Sequence, residues 1–170
     1  MKIISIRNTL FFFGIATVCL LATPASACSC LTPETAKAQL KISDAVFVGK
    51  VVEIGRKKFS TKAKLDLGGG KSKMITVSEM YYKLKITVSQ SWKGAPKRTR
   101  YVFSEIGTSC QQEFFKGTTY LIYAYNFRDP RWKSKKGLYT HMCTRTAQAS
   151  KAKKDLAELG KGKAPARYSP

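Results

Sequence analysis

The sequence has few of the side chains that most enzymes use. Among its 170 residues there is one histidine, His141, and only ten acidic residues. The acidic residues are scattered with no paired spacing, for example at Asp44, Glu53, Asp66, Glu105 and Glu113. Catalysis by nucleophile and base, or by paired carboxylates, needs such groups at matched positions. We therefore expect that the protein is not an enzyme and holds no cofactor.

The sequence also lacks a hydrophobic run of the roughly 20 residues that cross a bilayer. A basic start is followed by an apolar stretch over 10–22, a proline at position 24 and the small triplet Ala25-Ser26-Ala27. This order is typical of a secretory signal peptide. We predict that residues 1–27 are a signal peptide and that no transmembrane segment remains. The mature protein would then begin at Cys28 and be secreted or periplasmic.

A lipoprotein is the second interpretation, because a small residue directly precedes Cys28. Lipidation sites usually carry a larger aliphatic residue three positions before the cysteine, where this chain has Ala25. Anchoring through a lipid on Cys28 therefore ranks below simple cleavage.

The shortage of acidic residues leaves a strongly basic chain, with 31 Lys and Arg and a net charge of +21. Cleavage after Ala27 removes Lys2 and Arg7, which lowers the charge to +19. Such a charge favours anionic partners such as a polysaccharide or lipopolysaccharide. Export argues against nucleic acid as the native partner. The alternative is that the charge serves only solubility, because the basic residues are scattered along the whole chain.

Four cysteines remain after cleavage, at positions 28, 30, 110 and 143. In an exported protein an even number predicts two disulfides, with three possible connectivities. A bridge between Cys28 and Cys30 would close a strained ring, so we expect each to reach a distant partner. A zinc site is the weaker alternative, because Cys110 and Cys143 each stand alone.

The pattern of apolar residues predicts a mainly β chain with one or two short flanking helices. One helix is predicted over Pro33–Leu40 with Thr32 as its N-cap, and a second over Thr146–Leu159, ended by Gly160. Strands are predicted at Asp44–Ile54, Met80–Trp92, Arg98–Ser104, Thr118–Asn126 and Leu138–Cys143.

Glycines mark two special positions. Gly49 within the first strand predicts a bulge or bend. The Gly- and Lys-rich segment 55–74, with glycines at 68–70, is interpreted as an exposed, mobile basic loop that joins two strands into an extended hairpin. Together these features predict a five-stranded Greek-key barrel of the oligonucleotide/oligosaccharide-binding (OB) type over residues 28–160, with a disulfide-linked N-terminus. Residues 161–170 are predicted to be a disordered basic tail.

The order of short motifs along the chain resembles one known family. The motifs are Cys28-Ser29-Cys30, the segments 43–51, 88–94 and 115–124, Ser109-Cys110, and Cys143-Thr144-Arg145-Thr146. In this order they resemble the inhibitory domain of the tissue inhibitors of metalloproteinases, within the netrin-like family. The resemblance covers nearly all of the chain from Cys28 to about Leu159, and it too implies an OB barrel.

The resemblance implies two disulfides, Cys28–Cys110 and Cys30–Cys143. It also implies a protease-binding ridge made of Cys28, Ser29, Cys30, Leu31 and Thr32, flanked by Thr108 and Ser109. The α-amine and carbonyl of Cys28 would chelate the catalytic zinc of a target metalloendopeptidase, and this zinc is the only metal involved. An α-amine has a pKa near 8, so zinc displaces its proton readily at neutral pH.

A netrin-like domain without inhibitory activity is the alternative function, as an extracellular binding module for anionic glycans or proteins. OB barrels can present a basic, aromatic face to such ligands. The candidate aromatic residues, which lie among Lys and Arg, are Tyr81, Tyr82, Trp92, Tyr101, Phe103 and Trp132. The competing interpretation is that these aromatic side chains pack in the core.

Overall fold

The structure, a computed structural model, describes residues 28–94, 97–108, 111–127 and 137–165. Two α-helices are present in this part, α1 (Ala36–Ile42) and α2 (Lys153–Leu159). The strands are β1 (Ala45–Asp66), β2 (Ser72–Lys93), β3 (Thr99–Glu105), β4 (Thr119–Asn126), β5 (Leu138–Tyr139) and β6 (Ala147–Gln148). A 3₁₀ helix spans Met142–Thr144. The predicted signal peptide, 1–27, lies outside the described residues, so it stays a prediction.

The sheet closes on itself as a barrel. Its strand order is β1-β2-β3-β5-β4, and β4 pairs again with β1. The paired strands are antiparallel except for β3 and β5, which run parallel. Short β6 adds to β4 outside this ring. The mainly β, five-stranded OB-type barrel predicted from the sequence is confirmed.

Strand β4 is buried on both faces, which explains its continuous apolar sequence. One face, with Tyr120 and Ile122, points into the barrel. The other face, with Leu121 and Tyr123, packs beneath the two helices and contacts the cluster that contains Ala36. Burial on two sides removes the need for alternating polar residues. The two helices therefore cover the outer face of β4.

Gly49 lies at an irregularity of β1, as predicted. The register between β1 and β2 shifts between Val48 and Gly49. A Cβ atom at position 49 would lie 2.5 Å from Cγ2 of Ile86 and 2.7 Å from the carbonyl oxygen of Thr87. Only glycine allows the two strands to approach this closely where β1 bends around the barrel.

The prediction of a mobile loop over 55–74 is wrong. Strands β1 and β2 stay paired from Ile54 and Leu84 out to Asp66 and Ser72, so most of this segment is strand. Side chains alternate between two faces of the hairpin, which is the period of a β-strand despite the many lysines. Only the turn at 67–71 is irregular, and its three glycines take φ values of +79°, +59° and +75°. The extended hairpin itself is confirmed, and we call residues 55–83 the ribbon.

Both helices begin later than predicted. Thr35, not Thr32, caps α1, because its Oγ1 accepts a hydrogen bond from the Ala38 amide at 3.1 Å. Residues 146–152 form β6 and a turn, since Gln148 pairs with β4, so α2 starts only at Lys153. Gly160 ends α2 as predicted, with φ of +66°.

The last part of the chain also differs from the prediction. The predicted final strand becomes the short β5 followed by the 3₁₀ helix. Lys163, placed in a tail by sequence, pairs with Ser91 through two backbone hydrogen bonds of 2.8 and 2.7 Å. Residues 166–170 lie outside the described part. Among the residues that the structure describes, no helix has the length and hydrophobicity to span a membrane.

Candidate functional site

The segment Cys28–Thr32 lies at the surface, and its side chains alternate in exposure. Cys28, Cys30 and Thr32 are half-buried, whereas Ser29 and Leu31 are exposed. Leu31 is 102% exposed, the highest value among the large apolar side chains of the described residues. Every second side chain of the segment therefore packs against the rest of the protein, and the others face solvent.

Sulfur atoms anchor this segment to the 3₁₀ helix. Cys30 and Cys143 form a disulfide, which confirms that pairing. The Sγ atom of Cys28 lies 3.9 Å from that of Cys143, and all three sulfur atoms lie within 4.8 Å of one another. Zinc binding by free thiolates is contradicted here, because a disulfide offers no thiolate ligands.

Cys28 is itself in a disulfide. Its expected partner, Cys110, lies outside the described residues, so the Cys28–Cys110 pairing stays a prediction. The alternating exposure of residues 28–32 and the Cys30–Cys143 bridge do not depend on which cysteine pairs with Cys28.

Arg145 fixes the chain just after the segment. Its Nη1 donates hydrogen bonds to the carbonyl oxygens of Pro33 and Glu34, at 2.8 and 3.2 Å. The same guanidinium binds the carboxylate of Asp155 through Nε at 3.0 Å and Nη2 at 2.6 Å. The hydrogen bonding of Arg145 to the Asp155 carboxylate, which accepts, raises the pKa of Arg145. Arg145 therefore ties the N-terminal chain to α2 as a permanent cation.

Glu158 provides a second tie between the N-terminal chain and α2. Its two carboxylate oxygens accept hydrogen bonds from the Ala36 and Lys37 amides, each at 3.0 Å. These amides belong to the first turn of α1, where backbone N–H groups have no partner within the helix. Both hydrogen bonds lower the pKa of Glu158, and the one from the Lys37 amide has the larger effect. Together with Arg145, this carboxylate orients the helix that follows the segment.

His141 lies beside the anchored Cys143. Its Nδ1 accepts a hydrogen bond from the Cys143 amide at 3.3 Å, and its ring lies 5.3 Å from that of Tyr139. Burial lowers the pKa of His141, and the nearby charge of Glu105 opposes this effect only in part. The ring is therefore neutral at pH 7, with Nδ1 as the acceptor.

The other predicted part of the ridge begins three residues after Glu105. Thr108 is exposed and, with residues of β2 and β3, lines a shallow pocket of about 390 Å³. Ser109 lies outside the described residues. The structure thus brings Cys28, Cys30 and Cys143 together directly, and Thr108 lies in the chain that follows β3.

The expected aromatic face is largely core. Tyr81 and Phe103 are buried together with Phe59, and the Trp92 indole donates to the Gly160 carbonyl at 3.0 Å. Burial, reinforced by the hydrogen bond to Glu79, raises the pKa of Tyr81, which remains a protonated donor. Tyr101 is exposed, with the Lys83 ammonium 4.8 Å from its ring centre. Trp132 lies outside the described residues.

Sequence reasoning missed the residues that hold the segment, namely Arg145, Asp155 and Glu158. Arg145 stands in the motif Cys143-Thr144-Arg145-Thr146, which marked its position but not its contacts. The two acidic residues are one helical turn apart on α2, a spacing that is also common on solvated helices. Their role depends on contacts between residues 33–37 and residues 145–158, which the sequence does not display.

No family model matches this chain, and the comparison with curated proteins finds no match. The resemblance to metalloprotease inhibitors therefore stays a prediction from the sequence motifs. The geometry of the segment, with fixed cysteines and outward Ser29 and Leu31, is the feature from which a function can be argued.

Proposed function

We propose that the protein is an exported inhibitor of zinc metalloendopeptidases whose binding element is the segment Cys28–Thr32. The observation that carries this proposal is the anchoring of Cys28 and Cys30 at one cluster of sulfur atoms while Ser29 and Leu31 point outward. A protease cleft accepts an extended chain, and alternate side chains of such a chain enter its subsites.

The chemistry of the proposed contact depends on the first residue. If cleavage follows Ala27, the amine and carbonyl of Cys28 lie on one residue and form a five-membered chelate. This chelate suits a zinc ion with an open coordination position. Ser29 would enter the pocket beyond the metal. Leu31, which is fully exposed in the free protein, would lose its contact with water on docking.

The surroundings of the segment support tight binding, because they restrict it before any partner arrives. The Cys30–Cys143 bridge holds its centre, and Arg145 holds the carbonyl groups that follow it. Restricting a binding segment in advance reduces the conformational entropy lost on association. A flexible N-terminus with the same residues would bind more weakly.

The test compares the mature protein with a form that carries one extra alanine before Cys28. The added residue converts the Cys28 amine into an amide, which is a poor zinc ligand, and leaves the barrel untouched. Both forms are assayed against a panel of zinc endopeptidases, with melting temperature as the folding control. Loss of inhibition at unchanged stability supports the proposal; equal inhibition by both forms, or inhibition by neither, rejects chelation by Cys28.

A second pair of variants examines the outward side chains. Leu31→Ala should weaken inhibition, whereas Phe115→Ala should not, although Phe115 is also exposed at 53%. Intact mass of the mature protein accompanies these assays. A lipid on Cys28, or a first residue other than Cys28, would contradict the mechanism.

An extracellular binding module for anionic glycans is the second candidate function. The observation in its favour is the ribbon, where residues 55–81 carry seven Lys or Arg and two acidic residues. Retention on immobilised heparin or lipopolysaccharide should then fall steeply with salt as counterions are released. Retention that salt does not change would limit the charge to a role in solubility.

A further inference from the structure

The ribbon has two chemically different faces. On one face, Lys58, Lys62 and Lys64 stand opposite Met80, Thr76 and Met74. On the other face, the pairs are Thr61 with Val77, Ala63 with Ile75 and Leu65 with Lys73. One side of the ribbon is therefore cationic and the other is mainly apolar, as the alternation of a two-stranded hairpin allows.

The apolar face changes its surroundings along its length. Near the barrel, Phe59 is buried with Tyr81 and Phe103, and Val77 packs against this cluster. At the far end, Leu65 and Leu67 are 44% and 60% exposed, and Met74 on the opposite face is 58% exposed. Three large apolar side chains thus lie in the turn or within three residues of it and are exposed to water, where burial against a partner would be favourable.

Basic residues surround these apolar side chains. Lys62, Lys64, Lys71 and Lys73 are all exposed and lie beside the tip. Within the part of the chain that the structure describes, none of these four lysines forms an ion pair. Asp66 is the acidic residue of the tip, and its Oδ1 accepts a hydrogen bond from the Gly68 amide at 2.9 Å. The tip therefore presents an apolar end within a cationic ring.

The turn at the tip is ordered by its own hydrogen bonds. The Leu67 amide donates to the Lys71 carbonyl at 3.0 Å, and the Lys71 amide donates to the Gly68 carbonyl at 3.1 Å. Among the described residues, and apart from each glycine and its chain neighbours, no atom lies within 4 Å of the positions where Cβ atoms of the three glycines would stand. A turn that is held by its own hydrogen bonds and has open space around it can approach a surface with little loss of conformational entropy.

We propose that this tip docks the protein on the surface of an anionic lipid bilayer. Leu65, Leu67 and Met74 enter the interface between headgroups and acyl chains, and the surrounding lysines contact lipid phosphates. Lysine side chains can extend their amines to the headgroups while their methylenes stay in apolar surroundings. Asp66 limits insertion to the interface. This surface is independent of the proposed inhibition, which uses the N-terminal segment.

Charge and apolar character together favour a lipid surface over a soluble polyanion. A polysaccharide chain would use the lysines but would leave the exposed leucines and methionine without a role. A bilayer uses both, because anionic headgroups attract the basic residues and the apolar side chains leave water.

The test measures binding of the full mature protein to vesicles. Sedimentation with phosphatidylcholine vesicles is compared with vesicles that also contain phosphatidylglycerol, for the native protein and four variants. Leu65→Ser with Leu67→Ser removes the apolar tip, and Lys62→Gln with Lys64→Gln removes charge. The matched controls are Phe115→Ser, and Lys153→Gln with Lys154→Gln on α2. Melting temperatures establish that all variants fold.

We expect binding only to the vesicles that contain phosphatidylglycerol, and a loss of about tenfold for each tip variant. Neither control should change. Retention on heparin should fall for the Lys62 and Lys64 variant but not for the leucine variant. Native binding that the leucine variant retains in full would overturn the proposal in favour of a purely electrostatic polyanion surface. Absence of vesicle binding, or equal losses in the controls, would also overturn it.

Leu67→Trp gives a direct readout of insertion. Its fluorescence, corrected for the native protein, should shift to the blue on vesicles with phosphatidylglycerol and be quenched by brominated acyl chains. An emission spectrum that these vesicles leave unchanged would exclude entry of the tip into the interface.

Discussion

Replacement of Arg145 by methionine tests how the N-terminal chain is held. The change keeps a side chain of similar length but removes the guanidinium. It removes two hydrogen bonds to Asp155, one to the Pro33 carbonyl and one to the Glu34 carbonyl. Among the described residues, the Tyr123 hydroxyl, at 3.3 Å, would then be the remaining side-chain donor to the Asp155 carboxylate.

The structure sets the size of the expected effect. The side chains of Arg145 and Asp155 are only 23% and 12% exposed. Removing one member of a fully buried pair costs about 3–5 kcal/mol, because the other charge is left without compensation. Partial access to water and the Tyr123 hydroxyl reduce this cost. We expect a loss of about 3 kcal/mol, which lowers the melting temperature by about 10 °C for a domain of this size.

Thermal unfolding followed by circular dichroism measures the loss, with Lys151→Met as the control on an exposed neighbouring position. Arg145→Lys should be intermediate, because an ammonium group cannot form the paired contacts of a guanidinium. The double variant with Asp155→Asn should cost less than the sum of the two single variants. A loss below about 1 kcal/mol for Arg145→Met, or strict additivity, would refute this role of the Arg145–Asp155 pair.

Three further outcomes follow from other parts of the structure. Replacing both Cys30 and Cys143 by serine, which opens a loop of 113 residues, should cost about 5 kcal/mol in the chain-entropy model, measured by urea unfolding. Because burial lowers the pKa of His141, the unfolded chain binds its proton first as pH falls; stability should therefore decline below about pH 6.5, and His141→Gln should flatten this part of a melting-temperature profile. Gly49→Ala should destabilise the barrel by about 2 kcal/mol or more, because its Cβ would overlap Ile86 and the backbone of Thr87; an unchanged urea midpoint would contradict this packing.

The barrel was predictable because its strands follow local patterns. From Tyr82 to Trp92 apolar and polar residues alternate, and the residues of β4 form a continuous apolar run. Such patterns depend on side chains a few residues apart, which the sequence displays directly. The ribbon was mispredicted because lysine and glycine lower the local preference for strand. Pairing with a second strand, as between Ser60 and Ser78, supplies the hydrogen bonds that override this preference.

The candidate site was predictable only in part. The sequence identified Cys28, Cys30 and Cys143, because cysteine has few roles in a chain that is predicted to be exported. It did not identify Arg145 and Asp155 as the residues that orient the segment. Their side chains are ordinary for a solvated surface, and the carbonyl groups of Pro33 and Glu34 that Arg145 binds lie 112 and 111 residues away along the chain.

The sequence by itself determined the charge of the protein, the positions of its cysteines and the alternation that produces its strands. Only the tertiary structure decided where the segment Cys28–Thr32 lies, how it is held and which of its side chains face water. The physical reason is the distance between partners. Arg145 and Pro33 are 112 residues apart and Cys30 and Cys143 are 113 apart, so these contacts exist only once the barrel has closed.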